Sequence, residues 1–129
     1  MNAGSCSEKN HYASPLVLYD TTLRDGNQTV GVSFDLKAKL KITRILSDFG
    51  FDYIEGGWPG ANKTDTEYFR KVRELDIDAK ISAFGMTAKT RKNIDVLHPL
   101  LKAEPDVFTV FGKAWDLHVK GALKVSLDE

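Results

Sequence analysis

The sequence is poor in the features that indicate an oxidising compartment, a membrane or a nucleic-acid partner: cysteines, long apolar runs and an excess of basic residues. Its 129 residues include one cysteine, Cys6, so an intrachain disulfide is excluded. Eighteen Lys and Arg residues balance eighteen Asp and Glu residues, which leaves no basic excess to hold a nucleic acid or an anionic membrane surface. No apolar run approaches the roughly 18 residues that a membrane-spanning helix needs. These absences predict a cytoplasmic protein without a nucleic-acid or membrane partner.

The first 15 residues are polar and rich in small side chains. They contain no apolar segment of the kind that a secretory signal needs. We predict that residues 1–15 form a disordered tail, in which Cys6 is inert because no neighbouring group activates its thiol. The folded part is expected to occupy residues 16–129.

Short apolar runs alternate with helical patterns from residue 16 onward. Predicted strands occupy residues 16–19, 51–54, 79–84 and 107–111, so successive strands begin 35, 28 and 28 residues apart. Each interval is close to the length of one βαβ unit, and the strands are apolar on both faces, as parallel strands are. The predicted fold class is therefore α/β, with a parallel sheet and right-handed crossovers.

The first two connections carry helix-capping signals. Ser33 is a candidate N-cap of the first helix, and Gly50 stands where the C-terminus of that helix favours a left-handed residue. Thr64 and Glu67 have the spacing of a capping box, which predicts that the second helix begins there.

The later connections are less regular. Helices are predicted over residues 92–102 and 115–123, and Pro99 weakens the first of them because a proline interrupts helical hydrogen bonding. Residues 56–60 are assigned to a loop, because glycines and a proline do not continue a central strand.

Two sheet architectures are consistent with this spacing of the strands. One is a small doubly wound sheet, which the length of the chain favours. The other is the N-terminal half, about four βα units, of a TIM (β/α)8 barrel, which in full needs about 250 residues. The chain ends without a further strand, which indicates a barrel truncated within the domain, although a frayed helical end would look the same. The chemistry at the strand ends favours the half barrel.

Charged side chains follow the first two predicted strands. Asp20, Arg24 and Asp25 follow the first strand, and Glu55 follows the second. Because ligands of α/β folds bind at the carboxyl ends of strands, these side chains are expected to converge on one rim. A carboxylate suits Mg²⁺ or Mn²⁺ and is acceptable to Zn²⁺, whereas a guanidinium offers paired donors to carboxylate or keto oxygens. Asp25 and Arg24 would thus hold a 2-oxo acid chelated to a metal, with Glu55 ordering Arg24 or steering a proton.

The residues alone leave alternatives open. Arg24 and Asp25 could form a plain surface turn, since an Asp-Gly pair favours turns by itself. Ser82, Thr109 and Phe111 alternate along their strands and are candidates to line a substrate pocket, but a register error of one residue would turn them to the other face. We assign Thr109 to substrate binding on this basis. The sequence contains no P-loop, no G-x-G-x-x-G motif and no Cys/His zinc spacing.

Residues 18–28 read Leu-Tyr-Asp-Thr-Thr-Leu-Arg-Asp-Gly-Asn-Gln. This segment resembles the opening signature of the DRE-TIM metallolyase superfamily, which includes isopropylmalate, homocitrate and citramalate synthases and hydroxymethylglutaryl-CoA lyase. Segments 53–60 and 110–119 most resemble the citramalate synthase branch. The resemblance covers residues 16–129, which would then be the truncated N-terminal part of a pyruvate carboxyltransferase-type TIM barrel.

The resemblance implies a metal-dependent acyltransferase that condenses acetyl-CoA, as co-substrate, with a 2-oxo acid. In the branch that matches most closely, the acceptor is pyruvate and the product is citramalate, for isoleucine and branched-chain amino acid biosynthesis. Asp25 would be a ligand of Mg²⁺, Mn²⁺ or Zn²⁺, and Arg24 would bind the keto acid and stabilise developing negative charge. Glu55 would complete this catalytic set, with Gln28 supporting substrate binding. The full-length enzyme is expected to be a homodimer.

The histidines depart from the family pattern. The other metal ligands of the family are a His-x-His pair far downstream, whereas this sequence contains only His11, His98 and His118. Segment 86–92 also differs from the pattern expected in the citramalate synthase branch. We therefore expect the isolated chain to be inactive. Two alternatives stay open: a related isopropylmalate synthase, homocitrate synthase or hydroxymethylglutaryl-CoA lyase-like enzyme, and a non-catalytic truncated interaction module.

Overall fold

A computed structural model describes residues 16–88 and 94–127 of the chain. The strands are β1 (Tyr19–Asp20), β2 (Tyr53–Gly57), β3 (Lys80–Met86) and β4 (Val107–Phe111). The α-helices are α1 (Leu36–Phe49), α2 (Lys63–Val72), α3 (His98–Ala103) and the short α4 (Asp116–His118). Two 3₁₀ turns, Gly26–Gln28 and Asp95–Leu97, and a π-helical turn, Val119–Leu123, complete the elements. The predicted tail with Cys6 lies outside the described residues.

The strands form one parallel sheet in the order β1-β2-β3-β4. A doubly wound sheet reverses its strand order at a switch point, but here each strand lies beside the one that precedes it in the chain. Glu55 pairs with Ser82 across β2 and β3, and Phe84 pairs with Thr109 across β3 and β4. The α/β prediction is confirmed, and the sequential order corresponds to the N-terminal half of a TIM barrel rather than to the doubly wound alternative.

The apolar core lies between one face of this sheet and the helices. Its buried members come from β2, α2, α3, the loop after β1, and β3 with the residue that precedes it: Leu23, Ile54, Tyr68, Phe69, Val72, Ala79, Ile81, Ala83 and Leu100. Successive side chains of a strand point to opposite faces, so the residues that alternate with this core face the other side. Glu55, Ser82 and Thr109 lie on that second face. The helix-free face therefore carries the polar groups.

The two longest helices begin at different residues from those predicted. Asp35, not Ser33, caps α1, and its carboxylate accepts a hydrogen bond from the Ala38 N–H at 2.7 Å. Asn62, not Thr64, caps α2 in the same way. Both predictions were wrong because each segment contains more than one short polar side chain, and the backbone path decides which one reaches the free amide.

The assignment of residues 56–60 to a loop was wrong for the first two of them. Gly56 and Gly57 belong to β2, where a bulge follows Glu55. A Cβ atom on Gly56 would lie 2.2 Å from the ring of Tyr68 in α2, and Gly57 has a φ of 138°. These glycines therefore mark a bulge and a close approach of the helix, and they do not end the strand.

The other strand boundaries shift by a few residues. The predicted strand at 16–19 shortens to β1, and the third strand continues through Gly85 to end at Met86. At Gly85 the side chain of Leu100 from α3 comes so close that a Cβ would lie 2.3 Å from it. Gly85 was predicted to end the strand, but it lies within β3 and its missing side chain allows α3 to pack closely against the sheet. The fourth strand has the predicted bounds.

The later helices are shorter than predicted. The pattern over 92–102 becomes a 3₁₀ turn followed by α3, with Pro99 in the first turn, where a missing N–H does no harm. Residues 92–93 lie outside the described ranges. The pattern over 115–123 divides into α4 and the π-helical turn. Gly50 ends α1 in the left-handed conformation, with a φ of 95°, as predicted. None of the helices in residues 16–88 and 94–127 is long and apolar enough to cross a membrane.

Candidate active site

The loop after β1 is held in place by its own residues. The Asp20 carboxylate accepts hydrogen bonds from the backbone N–H and the hydroxyl of Thr22, at 2.9 and 2.8 Å. The Thr21 carbonyl accepts from three successive N–H groups, those of residues 24–26. Leu23 is fully buried and anchors the loop in the core. A short polar segment is thereby fixed at the carboxyl end of β1.

Arg24 joins two carboxylates at this end of the sheet. Its Nε donates to Glu55 Oε2 at 2.7 Å, and its Nη1 donates to Asp25 Oδ1 at 3.1 Å. Exposure rises along the series, from 1% for the Glu55 side chain to 21% for Arg24 and 65% for Asp25. A buried carboxylate charge requires a partner, and Arg24 supplies it for Glu55. The guanidinium thus has one side in the protein and one side toward solvent.

Phe84 of β3 and Trp58, which follows β2, form an aromatic pair next to the guanidinium. The Cζ atom of Arg24 lies 4.2 Å from the centroid of the Phe84 ring, a distance that permits a cation–π interaction. Trp58 packs edge-on against Phe84, with the ring centroids 5.6 Å apart. The sequence placed Phe84 at a strand end but did not assign it a role. Its signal was its position as the last residue of a predicted strand.

A cluster of three hydroxyl groups lies beside Glu55. The Tyr19 hydroxyl is 3.2 Å from Glu55 Oε1, 3.0 Å from Ser82 Oγ and 2.7 Å from Thr109 Oγ1. Ser82 and Thr109 are themselves 2.7 Å apart. Each of the four strands contributes one of these residues. Sequence reasoning missed Tyr19, which it treated only as the end of a strand.

The structure brings together three of the four side chains expected on the rim. Arg24, Asp25 and Glu55 are in direct contact, whereas Asp20 is turned to its own loop. Gln28 ends the 3₁₀ turn and is exposed, and its side chain has no polar partner among the described residues. Thr109 reaches the site through Tyr19. The substrate-binding roles of Gln28 and Thr109 stay predictions.

Among the rim carboxylates Asp20, Asp25 and Glu55, Asp25 best fits a divalent metal, because it is exposed and only its Oδ1 is engaged, whereas both oxygens of the other two have partners. In the part of the chain that the structure describes, no three His, Cys, Asp or Glu residues group together in a way that could hold a metal ion. His98 and His118 are both exposed on short helices, and His11 lies outside the described ranges. The donors present therefore fit one coordination position and do not form a whole site.

Comparison with known proteins identifies the family. The HMGL-like family model matches residues 16–129. The chain is 49% identical over 121 residues to the (R)-citramalate synthase of Aquifex aeolicus, a match that covers 91% of this chain and 23% of that protein. It is 47% identical over 116 residues to the (R)-citramalate synthase of Geobacter sulfurreducens, covering 87% and 22%. A homocitrate synthase of Methanopyrus kandleri is 33% identical over 114 residues, covering 88% and 28%.

The chain spans about a quarter of the length of these relatives. The matched region coincides with residues 16–129, to which the sequence resemblance extended. The resemblance to the DRE-TIM superfamily is therefore confirmed, and this chain belongs to the HMGL-like family.

Proposed function

We propose that the protein condenses acetyl-CoA with a 2-oxo acid, and that pyruvate is the acceptor and citramalate the product. The observation that carries the proposal is the Arg24 guanidinium, held between Glu55 and Asp25 at the carboxyl ends of parallel strands. Relatives named citramalate, isopropylmalate and homocitrate synthase support the condensation in general. The choice of pyruvate rests on relatives at 44–49% identity that are named (R)-citramalate synthase.

The geometry of Arg24 suits an acceptor with a carboxylate next to a keto group. Nε and Nη1 are engaged by Glu55 and Asp25, while Nη2 has no hydrogen-bond partner among the residues described. A planar guanidinium binds oxygen pairs through parallel N–H donors. All N–H groups of a guanidinium lie in its plane, so Nη2 would donate to a ligand at the edge of the group, while Cζ lies 4.2 Å from the Phe84 ring centroid. Arg24 would hold the acid there and stabilise negative charge that develops on the keto oxygen.

The charges of the three side chains favour a bound cation in this site. Arg24, Asp25 and Glu55 comprise one cation and two carboxylates. Their net formal charge is therefore negative, and it repels an anionic 2-oxo acid. A divalent cation at Asp25 would reverse the sign of the site, with its other ligands outside the described residues. When bound, such a cation supplies polarisation of the keto group.

The reaction balances without an external oxidant or reductant. The methyl carbon of acetyl-CoA loses a proton and forms a bond to the keto carbon of pyruvate. The electron pair of the keto double bond moves to oxygen, which takes up a proton. Water then cleaves the thioester and releases CoA with citramalate. The part of this chain is to bind and orient the acceptor at Arg24.

The test is release of the CoA thiol from acetyl-CoA by the full-length protein, with Mg²⁺ or Mn²⁺ present. We expect faster release with pyruvate than with 2-oxoisovalerate or 2-oxoglutarate. A preference for 2-oxoisovalerate would instead indicate an isopropylmalate synthase, and one for 2-oxoglutarate a homocitrate synthase. Absence of CoA release with all three acids would overturn the proposed condensation.

Variants at the site test the residue roles. Asp25→Asn is expected to weaken metal binding and abolish turnover, and Arg24→Lys is expected to lower the rate by about 10²-fold or more, because a lysine cannot form the paired donors. Asp76→Asn and Arg70→Lys are the matched controls, since both residues are exposed and lie away from the site. Near-normal activity in either site variant would remove that residue from the assignment.

A further inference from the structure

The hydroxyl of Tyr19 occupies a central position in the site without a role in the proposed reaction. We propose that Tyr19 is a positioning residue, which fixes the orientation of Glu55 and, through it, of the Arg24 guanidinium. The effect on turnover rests on the proposed function, whereas the positioning itself is a property of the folded chain.

The two carboxylate oxygens of Glu55 have separate partners. Oε1 accepts from the Tyr19 hydroxyl at 3.2 Å, and Oε2 accepts from Arg24 Nε at 2.7 Å. The terminal torsion of a glutamate side chain is broad, so one bond to Arg24 leaves the carboxylate free to rotate. Glu55 is 1% exposed, and water therefore has little access to replace a lost donor. A second bond from Tyr19 holds Oε2 toward Nε.

Tyr19 is itself well fixed. Its ring stacks on Tyr53, with centroids 6.0 Å apart and planes inclined by 24°. Its hydroxyl donates to Ser82 Oγ of β3 at 3.0 Å and lies 2.7 Å from Thr109 Oγ1 of β4. Either partner can donate in the Tyr19–Thr109 bond. When Thr109 donates to Tyr19, the single Tyr19 proton has two acceptors within reach, Ser82 Oγ at 3.0 Å and Glu55 Oε1 at 3.2 Å. The carboxylate is the stronger acceptor of the two, because a hydrogen bond to an ionised group is charge-assisted.

The exposure of Tyr19 argues for a role at the site and not in the core. Tyr19 is 40% exposed, so its side chain is not a member of the buried core. Phenylalanine at this position would retain the stacked ring and remove only the oxygen. Loss of the oxygen is therefore expected to leave the fold intact and to loosen Glu55.

The experiment follows the Nε–H signal of Arg24 by NMR in the 129-residue chain, identified by its absence in Arg24→Lys. Tyr19→Phe is compared with Tyr53→Phe, the matched control, because Tyr53 belongs to the same stack and its hydroxyl has no partner among the described residues. We expect exchange of this proton with solvent to become about fivefold faster, or more, in Tyr19→Phe. The control is expected to exchange at the wild-type rate.

Three outcomes would overturn the proposal. The first is an unchanged Arg24 signal in Tyr19→Phe. The second is loss of the folded state in Tyr19→Phe with Tyr53→Phe folded, which would make the hydroxyl a requirement of the fold. The third is equally fast exchange in Ser82→Ala, a variant that keeps the Tyr19–Glu55 contact, since the role would then belong to the cluster and not to Tyr19.

The NMR readout needs no turnover, so it separates this proposal from the proposed function. Failure of the CoA-release assay would overturn the reaction and leave the positioning to be decided by the Arg24 signal. With an active full-length protein, Tyr19→Phe is expected to lower kcat by about fivefold and to leave the KM for acetyl-CoA unchanged. A wild-type kcat in that variant would overturn the part of the proposal that concerns turnover.

Discussion

The ion pair between α1 and α2 offers a direct test of how the site is supported. The Lys39 ammonium binds the Asp65 carboxylate, and the two side chains are 0% and 9% exposed. The other Asp65 oxygen accepts from the Trp58 N–H at 2.9 Å, and the Lys39 Nζ lies 5.1 Å from the centroid of the Tyr68 ring. This pair therefore connects both helices to the segment that follows β2, next to the strand that carries Glu55.

Lys39→Met removes the charge and keeps most of the length of the side chain. The Asp65 carboxylate is then left buried with the Trp58 N–H as its hydrogen-bond donor. Removal of one member of a buried pair costs about 3–5 kcal/mol, because the remaining charge is uncompensated. That loss is a large part of the roughly 5–15 kcal/mol by which domains are stable. We expect Lys39→Met to lower the free energy of unfolding by this amount, and the double variant Lys39→Met/Asp65→Asn to be more stable than Lys39→Met.

The measurement is urea unfolding followed by tryptophan fluorescence, with the m-value compared between variants so that a change in midpoint reports stability. Lys71→Met is the matched control, because Lys71 pairs with Glu74 at 2.9 Å while the two side chains are 49% and 64% exposed. An exposed pair contributes about 0–1 kcal/mol. If Lys39→Met and Lys71→Met lower the stability equally, the argument that burial makes the first pair important is wrong.

Three further predictions concern β2 and the two helices that pack near it, α1 and α2. Gly56→Ala is expected to destabilise the chain by about 1–3 kcal/mol, because the new methyl group would lie 2.2 Å from a Tyr68 ring atom. Gly121→Ala is the control, because Gly121 has open space around it and the variant should leave the urea midpoint almost unchanged. Asp35→Ala removes the N-cap bond to Ala38 and should cost about 1 kcal/mol in the same assay, so an unchanged midpoint would contradict the cap. Burial raises the pKa of Tyr68 above its ordinary value of about 10, so the unfolded chain releases this proton first and stability should fall as pH rises above about 10. Thermal unfolding between pH 9 and 11 should show a smaller fall in Tyr68→Phe, and equal slopes for the two proteins would contradict this reasoning.

Much of the architecture could be predicted because it depends on near neighbours in the chain. The four βα repeats, the bounds of β4 and the left-handed Gly50 at the end of α1 follow from local periodicity and backbone preference. Gly56, Gly57 and Gly85 misled the prediction for one reason. A glycine in a strand indicates either an end or a close approach, and only the packed helix shows which of the two applies.

The candidate site was also predictable from the sequence only in part. Arg24 and Asp25 are adjacent in the chain, and Glu55 follows the next strand, so their meeting could be inferred from the rule that strands of a parallel sheet end at one edge. The detail that Glu55 is buried and Arg24 lies over Phe84 could not be inferred, since it depends on side-chain orientation across β1, β2 and β3.

The order of the βα units and the chemical groups that follow each strand can be read from the amino-acid sequence, since they depend on composition, spacing and local turns. The meeting of Tyr19, Ser82 and Thr109 beside Glu55 is a property of the folded chain alone. Ser82 and Thr109 lie 63 and 90 residues from Tyr19 in the chain. Their contact depends on the register of three successive strand pairings, and a shift of one residue in any of them would turn a hydroxyl to the opposite face of the sheet.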